Sequence, residues 1–341
     1  LASLLAGNDL RGVFSHSTQQ IATYARLMRD GKLNNKPEID VVESSPCSLL
    51  VDGDGGVGYF PAHEGTARVI EKAKENGIAV MVTRNHGHFG AAGLYSRMTL
   101  EHDLVTFVTS GVQQELKSGE SIFSAGGGSP MSFSAPAGEE DSLVLDFGAM
   151  HDLYGGDPHR DEIARLAPGL VLRCIGMGEI CQSWGGLLSG LPLHADPPRW
   201  SWPGANQGSL VITFRIDLFA EVADFRAQMD AYVQAVRKLT PLDGFTASDM
   251  AGGVEANFGT MTKPLHVGHA ARNAVLAAKL AASGFTANKE GIEAQVGYYD
   301  AYYRLTPGND SALEDLGRSW ELVDSGLRVK PYPCGGLAHT A

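Results

Sequence analysis

The chain has 341 residues, of which 43% are hydrophobic and 19% charged, enough apolar material for substantial cores and too much for a disordered chain. Its formal net charge is −12 with no long Lys/Arg run, which excludes nucleic-acid binding as the main role and means that an enzyme acting on an anion needs locally placed cations. The four cysteines are scattered without a CxxC pair, against a disulfide framework or zinc knuckle and for a reducing, cytoplasmic setting. No stretch approaches the roughly 20 apolar residues of a membrane span.

In chain order, LASLLAGNDLRG reads as starting inside a helix and lacks the basic region and cleavage site of a signal peptide. Residues 18–30 place Ile21, Tyr24, Ala25 and Met28 at helical spacing and stop at Gly31. SLLVDGDGGVGYF follows as a strand and glycine turn, and PAHEGTARVIEKAKENG as an amphipathic helix with Pro61 near its start. IAVMVTRN is a short buried strand running into HGHFGAAG. LVTFVTS, SLVLDFG and SLVITFRID are further strand-like runs. Residues 221–239 predict a helix with Val222, Phe225, Met229, Tyr232, Val233 and Val236 on one face. From about residue 250 the pattern turns helical and Ala-rich. A boundary is therefore expected between 245 and 255, dividing the chain into 1–248 and 249–341.

Three segments could carry chemistry. Gly53, Gly55 and Gly58 spell GxGxxG between a strand and a helix, the setting of a dinucleotide fingerprint. The acid expected about 20 residues on is absent. The next strand ends in Arg84-Asn85, and Arg84 could meet a 2′-phosphate. Pro61, His63 and the lack of further βαβ units favour an ordinary glycine-rich turn. In the second segment, Ser15 and His16 stand just before a helix, with Arg11 nearby and Gln19 and Gln20 on its first turn. A histidine beside a hydroxyl can exchange a proton at neutral pH, as hydride transfer at a carbinol carbon requires. The plainer alternative is that Ser15 caps the helix and His16 packs. In the third segment, His86 and His88 flank Gly87. No third ligand of HExxH type follows, so no metal site is implied. The small residues after them could present backbone N–H groups to a cofactor phosphate, or form a turn with packed histidines.

DLRGVFSHSTQQIATYARLMRDGKL, VDGDGGVGY, RNHGHFGAAGLYS, GGSP…AP…LVLDF and the run ITFRIDLF to TPLDGF together resemble, in matching order over about residues 8–245, the type-2 malate/L-lactate dehydrogenase family. The resemblance implies a non-Rossmann α/β fold with a largely antiparallel sheet and a homodimer. It also implies reduction of 2-oxo acids or oxidation of 2-hydroxy acids with NAD or NADP. By position it makes His16 the catalytic acid/base with Ser15 beside it, and Asp146 the acid near the cofactor. His88, Phe89, Gly90, Ala91, Ala92 and Gly93 would lie against the cofactor, with Gly127, Ser129 and Pro130 nearby. The family's arginine four residues after the histidine is Gln20 here, and a neutral amide cannot replace a bidentate guanidinium. Arg11, Arg26 or Arg84 is left to hold a carboxylate, or else the substrate differs.

FGTMTKPLHVGHAARNAVLAAKLAASGFT and GLRVKPYPCGGLAH are similar, over about residues 257–341, to the MmgE/PrpD family of 2-methylcitrate dehydratase and cis-aconitate decarboxylase type. That likeness makes the segment a partial, mostly helical one in which Lys263, Lys330 and His339 correspond to tricarboxylate-pocket residues. Three expectations result: a nicotinamide-dependent oxidoreductase, a lyase working through the C-terminal segment, or a composite chain in which neither site is complete.

Overall fold

The computed structural model describes residues 1–194 and 199–241. Lys263, Lys330, His339 and the expected boundary near 248 all lie outside the described residues. Among the described residues, no helix is long and apolar enough to cross a membrane.

Helix α1 (Ala2–Leu10) and two 3-10 turns, Phe14–His16 and Thr18–Gln20, lead into α2 (Ile21–Arg29). Strands β1 (Asp40–Ser44) and β2 (Ser48–Asp52) form a hairpin. Helix α3 (Tyr59–Asn76) then crosses over to β3 (Ile78–His86), which pairs parallel to β2. After the short α4 (Gly93–Met98) come β4 (Leu104–Val112), β5 (Pro130–Ala135) and β6 (Leu143–Gly148). Helices α5 (Arg160–Leu166) and α6 (Pro168–Cys181) follow, and α6 continues into one π-helical turn, Gln182–Gly186. Strand β7 (Gln207–Arg215) and α7 (Val222–Val236) complete the described part.

The seven strands form one sheet in the order β1-β2-β3-β7-β4-β5-β6, antiparallel at every pairing except β2–β3. This is the mostly antiparallel, non-Rossmann sheet expected above. The glycine fingerprint sits at the start of the single described β–α–β crossover, so its context is locally right and globally wrong. Strand β7, last in sequence, is inserted centrally between β3 and β4. The nine-residue register from Leu104↔Arg215 to Val112↔Gln207 fixes it there.

Helix α3 forms because Ala62, Thr66, Val69, Ile70 and Ala73 recur on one face, and it ends at Gly77 with φ +87°. That face covers Leu49 and Val51 of β2 and Ala79 and Met81 of β3, all buried. Each fully buried large aliphatic side chain in this layer contributes roughly 1.5–3 kcal/mol. Near α4 the sheet buries hydroxyls instead. Thr99 meets Thr106 at 2.6 Å, Thr106 meets Thr213 at 2.7 Å, and Ser96 meets Ser132 at 2.7 Å. Each buried hydroxyl is thus paired, as burial demands.

The predicted stripe on α7 is only partly buried. Val233 is enclosed, Val222, Phe225, Met229 and Val236 are half-buried, and Tyr232 is exposed. The helix is tied down by charge as well, through Arg226 to Asp103 and Arg237 to Asp141.

Candidate active site

A cavity of about 730 Å³ opens among the 3-10 turn at His16, the backbone after β3, the end of β4, strand β6 and the π-helical turn. Its walls include Ser15, His16, His88, Phe89, Gly90, Ala91, Ala92, Pro130 and Asp146, so residues scattered over 130 positions in the chain share one space.

His16 is fixed by its backbone. Its carbonyl accepts from Asn8 Nδ2 at 2.8 Å and from the Tyr59 hydroxyl at 3.3 Å. The Ser15 hydroxyl lies 2.8 Å from His16 Nδ1. The helix cap that the plainer alternative gave to Ser15 belongs to Ser17, whose Oγ accepts from the Gln19 N–H at 3.4 Å and donates to the Phe14 carbonyl at 2.8 Å. Ser15 is therefore left to orient the imidazole. Burial lowers the His16 pKa below the ordinary histidine value, so the ring is neutral at pH 7 and can take up a proton.

The His88 ring lies 5.1 Å from that of His16 between centroids. Its Nδ1 is 2.5 Å from the Tyr24 hydroxyl, which donates to Tyr59 Oη at 3.4 Å. Because Tyr59 donates onward to the His16 carbonyl, a consistent chain puts the proton of the 2.5 Å contact on His88 Nδ1. Nε2 of His88 is then an acceptor. Burial, with His16 and His86 adding to it, lowers His88 to about 4.

Asp146, from β6, occupies the place that the sequence offered to a cofactor phosphate. Its carboxylate takes the Gly93 backbone N–H at the start of α4, and any Cβ at residue 93 would collide with it. Burial raises the Asp146 pKa, against the opposing pull of the Gly93 N–H and of Arg97 and Arg11. Arg97 lines the same cavity and donates from Nη1 to the Gly93 carbonyl at 3.2 Å.

Other expected residues take different places. Gly127 turns at φ +55° against the Gln182 side chain, and buried Ser129 accepts from the Met150 N–H at 3.0 Å. Neither is on the cavity wall, whereas their neighbours Gly128 and Pro130 are. Gln20 donates to the Ser15 carbonyl at 2.7 Å and braces the turn. Arg84 is held by Asp52 at 3.0 Å, and Arg26 is exposed with its Nε on the Ala22 carbonyl at 3.2 Å; neither lines the cavity. His86 donates from Nδ1 to the Gly87 carbonyl at 2.7 Å and accepts from Thr83 at 2.6 Å. It is a core residue. The fingerprint glycines press on Trp202, Pro61 and the His86 ring, leaving no room for a nucleotide.

Sequence reasoning missed four residues. Tyr24 was read only as a helix-face residue. Arg97 lies four residues beyond Gly93, one turn along α4, which was the available signal. Gln207, at the start of β7, accepts from the Phe89 N–H at 3.3 Å. Gln182, 7% exposed, accepts from the Val112 N–H at 3.0 Å while its Nε2 is buried with no partner on the cavity wall. No periodicity marks the last two, because only the π-helical turn and the β4–β7 register bring them in.

Comparison with known proteins gives partial matches. Residues 1–151 match the family model described as Malate/L-lactate dehydrogenase. L-sulfolactate dehydrogenase of Methanocaldococcus jannaschii is 36% identical over 104 residues, 30% of each chain. The chain thus spans about 30% of the length of that curated relative, and the same share of a malate dehydrogenase from Pyrococcus horikoshii. A longer match, 25% identical over 281 residues, covers 72% of this chain and 78% of Escherichia coli O157:H7 ureidoglycolate dehydrogenase (NAD(+)). The solved malate dehydrogenase of Pyrococcus horikoshii OT3 shares the fold, with a TM-score of 0.59 and 21% identity over 74% of this chain and 80% of that one.

Proposed function

We infer, from the malate/L-lactate dehydrogenase match over residues 1–151, that this chain is an NAD- or NADP-dependent oxidoreductase acting on a small 2-hydroxy or 2-oxo acid. The observation that carries it is the Ser15–His16 pair on the wall of a cavity that His88, Phe89, Gly90, Ala91 and Ala92 also line. At about 730 Å³ the cavity lies within the range of small-ligand and cofactor sites.

The residues present fit a nicotinamide cofactor. Phe89, Gly90, Ala91 and Ala92 offer a close, side-chain-poor wall, and the unpartnered Gln182 Nε2 offers a donor that burial makes costly to leave unpaired. Such a cofactor supplies or accepts a hydride when bound. His16 does the proton work. With Nδ1 held by Ser15, Nε2 is left to take the proton from a substrate hydroxyl in oxidation and to return one to a carbonyl oxygen in reduction. Asp146 fixes the first turn of α4 at Gly93, which is itself off the cavity wall, and through it the wall residues Ala91 and Ala92. A homodimer belongs to the same proposal, supported by the exposure of Leu170, Leu172 and Ile180 on α6. Sedimentation of the purified chain tests it.

The deciding experiment is a titration of the purified chain with NADH and with NADPH, followed by nicotinamide fluorescence. Saturable binding of either at micromolar strength is expected, and His16→Ala is expected to keep it. Absence of binding to both would overturn the oxidoreductase assignment.

A further inference from the structure

Gln20 removes a cation from the segment beside His16, yet the cavity retains one. Arg97 is the arginine on its wall among the described residues. It reaches there from the last turn of α4, whose first turn is pinned by Asp146. It donates a hydrogen bond to a backbone carbonyl, that of Gly93, and no described acid is within ion-pair distance of it, Asp146 acting on it only at longer range. Arg11 stands close enough to act on both Arg97 and Asp146, and it too lacks an ion-pair partner among the described acids. Two guanidinium groups therefore face one carboxylate, and the local charge is positive in a chain whose net charge is −12. One carboxylate cannot balance two guanidinium groups, and the half-buried Arg97 keeps charge that a ligand anion would offset. The planar fork suits a carboxylate held through two parallel hydrogen bonds.

We propose that Arg97, backed by Arg11, holds the substrate's carboxylate in this cavity, the charge having moved from the turn after His16 to the last turn of α4. This rests on the oxidoreductase assignment for its substrate class, but the anion site itself is separable. Arg97 is then a specificity-determining residue: it selects a free acid over the corresponding amide or ester and takes no part in proton transfer. Arg11 is a positioning residue behind it.

The test uses the full chain and oxamate, an unreactive 2-oxo-acid analogue, with oxamic acid ethyl ester as the uncharged control. Binding is followed by NADH fluorescence in the nucleotide complex and by calorimetry without nucleotide. Oxamate is expected to bind and the ester not to. Arg97→Met should weaken oxamate about 30- to 100-fold while changing the NADH dissociation constant less than about threefold, and Arg97→Lys should recover part of the loss. Unchanged oxamate binding in Arg97→Met would overturn the proposal and leave the oxidoreductase assignment standing. A loss of NADH affinity with oxamate affinity kept would overturn it too, by giving Arg97 to the cofactor. Oxamate binding that depends on Arg97 in a chain that binds neither NADH nor NADPH would uphold the anion site and sink the oxidoreductase assignment.

Discussion

At the scale of single residues, His16 is held at three points: its carbonyl by Asn8 and Tyr59, its Nδ1 by Ser15. Replacing the ring leaves that backbone support in place, so His16→Ala should fold normally and keep nucleotide affinity. Its turnover should fall by about 10²–10⁴, the usual worth of a positioned acid/base, as steady-state rates would measure. Because burial lowers the His16 pKa from 6.5, the sign of the pH dependence follows. In the oxidation direction the ring must be neutral, so kcat/KM should hold below pH 6.5 and fall only at more acid pH. In the reduction direction, where the protonated ring is needed, it should fall as pH rises through the same lowered value. A pH profile with its limb above 6.5 would assign the proton to another group.

At the scale of elements, the π-helical turn after α6 decides whether the cavity closes. Gly185 lies against the backbone of Ser110 and Gly111 in β4, so a Cβ there would meet main chain and not a yielding side chain. Gly185→Ala should cost about 1–3 kcal/mol in urea unfolding, the usual penalty for overpacking. It should also move Gln182, whose Oε1 holds the Val112 N–H, and weaken NADH binding. Retained stability and affinity together would show that the turn yields. Helix α4 carries the complementary case. Its N-terminal N–H at Gly93 is already satisfied by Asp146, so Asp146→Ala should destabilise the HFGAAG wall and lower nucleotide affinity, read by fluorescence titration.

At the scale of the molecule, the buried histidine under the glycine turn ties stability to pH. His86 is fully enclosed, and burial lowers its pKa from 6.5 to about 4. Between those values the unfolded chain binds the proton and the folded chain does not. The stability that neutral His86 contributes is thus complete above pH 6.5 and is lost as pH falls toward 4, by an amount on the order of 3 kcal/mol. Urea unfolding at pH 7 and pH 4.5 should show this loss. His86→Gln should start less stable at pH 7 and lose less on acidification, and equal losses in the two proteins would discharge His86 from that role.

The sequence by itself determined the periodic elements, among them α2, α3, β2, β3, β4, β6, β7 and α7, while β1, β5, α5 and α6 carry patterns too short or too irregular to read. Helix-period burial in Tyr59–Asn76 and alternation in Ile78–His86 were legible because each pattern is local and its period matches one backbone geometry. The Ser15–His16 pair and the HFGAAG run were legible because they are contiguous, and their linked order carried the family resemblance. What only the tertiary structure decided were the relations between distant segments. Ser17 caps the turn and frees Ser15 because the chain must bend toward Asn8 and Tyr59. The GxGxxG loop is a packing site because Trp202 and His86 fill it. The phosphate-like position at α4 is held by Asp146, 53 residues on from Gly93, because β5 and β6 pair beside β4 and carry the carboxylate there. Arg97, Gln182 and Gln207 enter the cavity through register and crossover, which no window of sequence contains, since period reports a residue's own face and not what the fold sets opposite it.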